Sequence, residues 1–269
     1  MDYLLFRLVL AFVMTGGWVT LIALITAKYS GDLGGFVGGL PSAAAFSLLF
    51  TGWIESPTIA AQAATMFPLF VSFSGTFLLF FAHFARRGFA FGVLASLGLW
   101  FVVCLTVVFS GIEDFTFALA GSVLVSIVTY YGLRRLRLPI LGITQKDYSL
   151  PQAALRFVLG GTIVVTAVLA SQVGGPIFGG VFSAFPVIFI STLVGINTSH
   201  GTEISRRITM PLMVSMTLTV IPYGVAVKYL YPSLGVEYGT LIAYAVAGIT
   251  GILYYHYGRS VLLQANPSP

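Results

Sequence analysis

Residues Leu4–Ala27 read LLFRLVLAFVMTGGWVTLIALITA, an apolar run in which Arg7 is the single charged residue. About 20 apolar residues are enough for a helix to cross the hydrocarbon core of a bilayer. The run is too long for the apolar core of a secretory signal, and Met1-Asp2-Tyr3 lacks the basic start of such a signal. We therefore expect a retained membrane-spanning helix here.

The composition extends this prediction to the whole chain. Hydrophobic residues make up 58% of the sequence, charged residues only 8%, and the mean hydropathy is +0.98. Soluble domains carry about a quarter charged residues, so this chain cannot cover a water-exposed surface. Its apolar runs are long and do not alternate with a period of two, which favours helices over a membrane barrel. The fold class we expect is an all-α integral membrane protein.

Nine spans account for the apolar runs, at 4–27, 35–53, 63–84, 89–110, 115–133, 153–171, 178–197, 208–228 and 236–257. With the N-terminus outside and the C-terminus in the cytoplasm, every lysine and arginine except Arg7 and Lys228 falls on the cytoplasmic side. Cytoplasmic loops of membrane proteins carry this excess of cations. We expect a multi-pass protein of the plasma or inner membrane in this orientation.

A possible duplication is visible in the glycine–proline segments of the second and seventh spans. GGFVGGLP at residues 34–41 aligns with GGVFSAFP at residues 179–186. The same sequence offset pairs Leu48 with Leu193, and it also superposes the span boundaries. We call residues separated by this offset repeat-related.

Four spans on each side of a linker span place the second half upside down relative to the first. Such inverted repeats are the plan of many secondary transporters. The expected organisation is a first repeat at 1–110, a linker helix with a basic cytoplasmic loop at 111–151, a second repeat at 152–259 and a disordered tail at 260–269.

A family resemblance rests on motifs in the second half. They are the glycine pair with Phe185-Pro186, the turn Gly201-Thr202-Glu203 followed by Arg206, and Ile221-Pro222-Tyr223. In order and spacing they resemble the small GlpM-type (YdgC-like) bacterial inner-membrane proteins, over residues 152–257. The resemblance implies a membrane location and a transport role without a defined substrate.

The first half departs from this pattern. Ser56, Thr58 and Ala61 stand where the second half has the glycine, glutamate and arginine of the turn. Any role of Glu203 and Arg206 therefore exists once in the chain. A four-span relative could form antiparallel dimers, of which this chain would be a fused version.

The first group of candidate residues belongs to the paired proline segments. Proline removes a backbone donor, and interrupted helices at matching positions of two repeats point to a binding site near the membrane midplane. The alternative is close packing of helices through small residues. The candidate substrate-pathway residues are Pro41, Ser42, Ser183, Pro186, Ser191 and Asn197.

A second group of polar residues lies at the expected ends of spans. Glu203 precedes Arg206 and Arg207 at helical spacing, so that ion pairs can form. These residues could form a gate or an anion contact; the alternatives are lipid anchoring for the arginines and plain solvent exposure for Glu55. The candidate gate or anion-contact residues are Glu55, His200, Glu203, Arg206 and Arg207.

Two glycine pairs, Gly16-Gly17 and Gly160-Gly161, lie in the first and sixth spans. Small residues let membrane helices approach closely. We expect them to mark tight helix crossings.

Several functions are excluded by missing signals. Three histidines and one cysteine give no metal site, and the sequence has no phosphate-binding loop and no nucleophile motif. We expect no enzyme activity, no cofactor and no nucleic-acid partner. The expected partners are the lipid bilayer and a small-molecule or lipid substrate, with a homodimer as a further option.

The function favoured by this sequence is a secondary transporter or exporter of a small solute, which we expect to be anionic, working by alternating access. Two alternatives remain open. One is a flippase for a lipid or a lipid-linked head group, and the other is a non-transporting assembly factor for another membrane protein.

Overall fold

A computed structural model describes residues 2–28, 40–139 and 149–253. These residues form ten α-helices. The helices are α1 (Asp2–Lys28), α2 (Ala43–Ile54), α3 (Pro57–Phe84), α4 (Phe89–Phe109), α5 (Phe115–Arg135), α6 (Leu150–Gly174), α7 (Pro176–Ser183), α8 (Val187–His200), α9 (Thr202–Arg207) and α10 (Thr209–Leu253).

Several of these helices are compatible with a membrane protein. Within the described ranges, seven helical segments are long and apolar enough to cross a bilayer, and Ala43–Ile54 is a shorter apolar helix. The expected all-helical architecture is therefore confirmed for the described residues. The count of nine spans stays a prediction, because residues 35–39 of the expected second span lie outside the described residues. The tail at 260–269 also lies outside them.

Local sequence signals explain where two of the helices begin. The Ser56 hydroxyl accepts a hydrogen bond from Ile59 N–H at 3.2 Å, so α3 starts at Pro57, six residues before the expected boundary. Asp114 Oδ1 accepts from Phe117 N–H at 2.6 Å and begins α5. Both are side-chain caps that satisfy first-turn amides.

The last helix, α10, folds back on itself at Gly235. The expected spans at 208–228 and 236–257 leave a connection between them; most of it is helical, and the reversal occurs at Gly235, whose φ of 76° suits glycine. Tyr231 and Thr240 hydroxyl oxygens lie 2.7 Å apart across the fold. We refer to residues 209–234 and 236–253 as the first and second arms of α10.

Helix α3 lies at the centre of the bundle. Its most apolar stretch is 83% buried, whereas the corresponding stretches of α1, α4 and α5 are only 22–28% buried. The outer helices expose large side chains such as Leu94, Val102 and Phe109. An exposed apolar surface of this extent suits contact with lipid.

Helices α1 and α6 cross closely and antiparallel. Thr20 on α1 donates to the Ala153 carbonyl, and the rings of Phe12 and Phe157 lie 5.7 Å apart. A Cβ atom added to Gly16 would lie 2.6 Å from the Phe157 carbonyl oxygen, and one added to Gly161 would lie 2.7 Å from the Phe12 carbonyl oxygen. The expectation of a tight glycine crossing holds for these two glycines.

The contacts between α1 and α6 are reciprocal. Phe12 is repeat-related to Phe157, and Gly16 is repeat-related to Gly161. Each phenylalanine covers the other helix's glycine, as in an interface between two copies related by a two-fold axis.

Helix α3 and the first arm of α10 also pack antiparallel. Lys228 donates to the Thr65 hydroxyl at 2.9 Å, Gly224 lies against Phe67, and Arg206 just before α10 reaches the Ala82 carbonyl. The expected third and eighth spans are thus partners. The description of the chain as two inverted repeats remains a prediction.

Candidate functional site

The two proline segments lie at the starts of two helices. Helix α7 ends at Ser183 and α8 begins at Val187, with Pro186 between them. Val187 N–H bonds to the Phe185 carbonyl at 2.7 Å instead of continuing a helical ladder. Pro41 and Ser42 stand immediately before α2, with Ser42 at its N-cap.

A cavity of about 90 Å³ lies between these two helix starts, α3 and the first arm of α10. It is lined by both members of several repeat-related pairs, so both halves of the chain contribute to it. The pairs are Leu40 with Phe185, Pro41 with Pro186, Ala43 with Ile188, Ala44 with Phe189 and Val71 with Met216.

The described lining is mostly apolar and includes no ionisable side chain. Its hydroxyl groups come from Ser42, Ser74, Ser183 and Ser215. The Ser183 hydroxyl donates to the Gly179 carbonyl of its own helix at 2.8 Å. Ser42 is only 7% exposed, and its hydroxyl has no hydrogen-bond partner among the described residues. Ser42 therefore presents a hydroxyl to the cavity that its own helix does not use.

The carbonyl end of α7 is held by a chain of hydrogen bonds. The Trp100 indole N–H donates to the Ser74 hydroxyl at 3.0 Å, and that hydroxyl donates to the Ala184 carbonyl at 2.6 Å. Ala184 N–H bonds to the Gly180 and Val181 carbonyls. The break in the helix is thus stabilised from α3 and α4.

Helices α2 and α8 leave the cavity in opposite directions along α6. Glu55 at the end of α2 lies beside Ser171, near the C-terminus of α6. Near the end of α8, Thr198 accepts from Gln152, which lies at the start of α6. The two proline segments are therefore brought together, while Glu55 and His200 lie toward opposite ends of the bundle.

A row of polar groups follows α2 from the cavity to its far end. Ser47, Thr51 and Glu55 are spaced four residues apart, so they share one helix face with cavity-lining Ala43. Ser47 and Thr51 are fully buried, and their hydroxyls have no hydrogen-bond partner within the described ranges. Buried polar groups are rarely left in this condition, so the row is a candidate solute path.

Thr51 was missed as a candidate in the sequence analysis. The four-residue spacing between Ser47, Thr51 and Glu55 was the available signal. Burial without a partner, which gives the row its interest, requires the structure.

The surroundings of Glu55 favour its neutral form. Burial raises the pKa of the Glu55 carboxyl, and the neighbouring Ser171 hydroxyl lowers it by less. Nearby, the Arg7 guanidinium lies 4.8 Å from the Trp53 ring centroid and 4.2 Å from that of Tyr3. Glu55 thus sits at the expected outer end in a partly desolvated setting.

At the expected cytoplasmic end, Glu203 pairs with both arginines, as its spacing predicted. Arg206 is 7% exposed and bonds to Glu203 and, through Nε, to the Ala82 carbonyl at 2.8 Å. Arg207 Nε lies 3.3 Å from Glu203 Oε1 and is more exposed. Arg206 therefore fastens α9 to the end of α3.

The remaining candidates lie along α8. Asn197 accepts from the Thr202 hydroxyl at 2.8 Å and thereby joins α8 to α9. His200 is exposed at the end of α8. Ser191 is buried and donates to the Ile188 carbonyl of its own helix, and it does not line the cavity.

A buried cation lies close to the other side of the cavity. Arg156 on α6 is 8% exposed and donates to the Thr192 hydroxyl at 2.7 Å. Thr192 follows cavity-lining Ile188 by one turn of α8. This places a guanidinium about one helical turn from the cavity.

No cluster of three histidine, cysteine, aspartate or glutamate side chains occurs in the part of the chain that the structure describes. The described residues that line the cavity offer backbone, hydroxyl and apolar groups.

Comparison with known proteins gives one match. No curated protein and no solved structure matches this chain. The resemblance to GlpM-type proteins over residues 152–257 stays a prediction, although the family match below covers nearly the same residues. Residues 153–257 match the model of a family described as a protein of unknown function, DUF3147.

Proposed function

We propose that the chain is a membrane transporter-like protein that moves a small solute through the cavity by alternating access. The main support for this proposal is that repeat-related residues of both halves line one cavity at two matching helix starts. Transporters with inverted repeats place their substrate at such a position. The reciprocal packing of α1 on α6 supports the same two-fold plan.

The size of the cavity favours a small solute over a lipid head group. About 90 Å³ leaves room for only a few water-sized groups. Pockets for drug-sized ligands measure roughly 300–1,000 Å³. A lipid-linked head group would need a much wider opening, so the flippase alternative is less favoured.

The two ends of the bundle would act as gates. On one side, the path along Ser47 and Thr51 ends at Glu55. On the other side, Arg206 ties α9 to the Ala82 carbonyl. Opening either end requires these contacts to break in turn.

Cysteine accessibility tests the proposal. In a Cys104→Ser background, Ser42→Cys should react with an impermeant thiol reagent in both right-side-out and inside-out vesicles. Ala167→Cys serves as the control, because Ala167 is fully buried in α6 and does not line the cavity. Reaction of Ser42→Cys from one side only, or from neither side, contradicts alternating access.

A further inference from the structure

We infer that the cavity binds a small monovalent anion between the N-termini of α2 and α8, with the Ser42 hydroxyl as a donor. This inference rests on the proposed function, since it names the class of solute that the same cavity carries. It relocates the anion contact from Arg206 and Arg207, which do not line the cavity, to backbone amides and a hydroxyl.

Both helix starts lie at the cavity, and their first-turn amides lack intrahelical partners, although Val187 N–H bonds to the Phe185 carbonyl. The first hydrogen bond of α2 runs from Phe46 N–H to the Ser42 carbonyl, and that of α8 runs from Ile190 N–H to the Pro186 carbonyl. Neither helix has a side-chain cap. First-turn amides without a cap, together with the helix dipole, attract anions.

The Ser42 hydroxyl is an independent sign of a ligand. It is more than nine-tenths buried, it lines the cavity, and it bonds to no other described residue. A hydroxyl that lines a cavity and makes no bond to the protein is free to donate to a ligand there.

Among the residues that the structure describes, two groups that would repel an anion are occupied or distant. The Ala184 carbonyl at the end of α7 accepts from Ser74 at 2.6 Å. Glu55 lies three turns along α2 from Ala43, about 18 Å away along the helix axis. On the opposite side, the buried Arg156 guanidinium adds positive charge about one turn from the cavity.

The apolar lining limits which anions fit. Two helix N-termini and one hydroxyl replace only part of the hydration shell that an ion loses on entering the cavity. The remaining free-energy cost of dehydration is lowest for large ions of single charge. The small volume excludes bulky organic anions. We therefore expect iodide and nitrate to pass faster than chloride, and sulfate to be excluded.

Anion efflux from proteoliposomes containing the purified full chain tests this inference. Vesicles are loaded with the potassium salt of iodide, nitrate, chloride or sulfate, valinomycin dissipates the voltage, and an ion-selective electrode or ion chromatography follows efflux. Ser42→Ala should slow nitrate efflux by about tenfold, the loss expected when a hydrogen bond to a charged group is removed. Ser42→Thr keeps the hydroxyl and should retain most of the flux.

Ser233→Ala is the matched control, because Ser233 is exposed and its hydroxyl bonds only to its own helix. Equal effects of Ser42→Ala and Ser233→Ala in monodisperse samples would overturn the inference, as would sulfate efflux as fast as nitrate efflux. If no anion flux occurs while Ser42→Cys still reacts from both sides, the inferred anion site is refuted and the proposed alternating-access transporter is not. Absence of reaction from either side overturns the proposed function itself.

Discussion

Substituting Gly161 by alanine tests the close crossing of α1 and α6. The added Cβ would lie 2.7 Å from the Phe12 carbonyl oxygen and 2.6 Å from an atom of its ring. An ordinary contact begins at 3.4 Å, so the helices must separate by roughly 0.7 Å. Gly17→Ala is the control, because a Cβ at Gly17 meets nothing within 4 Å.

The expected magnitude follows from two opposing terms. Alanine in place of glycine favours a helix by about 1 kcal/mol in both variants. Overpacking costs about 1–3 kcal/mol and applies to Gly161 alone. We therefore expect Gly161→Ala to be less stable than Gly17→Ala by about 2 kcal/mol. Reversible unfolding in mixed detergent micelles, followed by circular dichroism, measures this difference.

Because the contacts between α1 and α6 are reciprocal, we also expect the two glycine substitutions to be non-additive. Gly16→Ala and Gly161→Ala push the same two helices apart, so the double variant should cost less than the sum of the single variants. Strict additivity would refute the reciprocal contact. A stability of Gly161→Ala within about 0.5 kcal/mol of Gly17→Ala would refute the close approach itself.

Three further predictions concern the ends of the bundle. Single cysteines at Glu55 and Asp114 should react with an impermeant maleimide added outside cells, while one at Thr202 stays protected; labelling of Thr202 would contradict the inverted arrangement. Arg206→Ala should destabilise the fold by about 2 kcal/mol more than Arg207→Ala, because only Arg206 is buried and bound to a backbone carbonyl; equal unfolding free energies would contradict this. Because burial raises the pKa of Glu55, the folded state holds the carboxyl proton more tightly than the unfolded state does, and the free energy of unfolding should fall as the pH rises from the ordinary carboxyl pKa through the raised one. Glu55→Gln should remove this pH dependence. Unfolding measurements at several pH values that show the same dependence in Glu55→Gln would contradict the prediction.

The sequence was informative where the physics is local or periodic. Apolar runs predicted the long helices, because the bilayer sets their length. The spacing of Glu203 to Arg206 and Arg207 predicted their pairing, because helix geometry brings such residues together. The proline segments were singled out through the missing N–H of Pro41 and Pro186, and the structure brings both to one cavity.

Other features depend on contacts between distant segments, which no local pattern reveals. The helix that follows Thr209 continues through Pro232 and reverses only at Gly235, because a proline within a packed membrane helix can be accommodated by its neighbours. Ser191 looked like a cavity hydroxyl, yet it turns to its own backbone. Thr51 gains its interest only from being buried without a partner.

The hydrogen-bond chain at the end of α7 gives the molecule a native optical reporter. Trp100 is 1% exposed, donates to Ser74 and stacks edge-on against Phe185, which adjoins the broken helix. Any movement that pulls the Ala184 carbonyl from Ser74 alters the polarity around the indole. With Trp18 and Trp53 replaced by phenylalanine, the emission maximum of the remaining tryptophan would follow that movement in real time, without an attached dye.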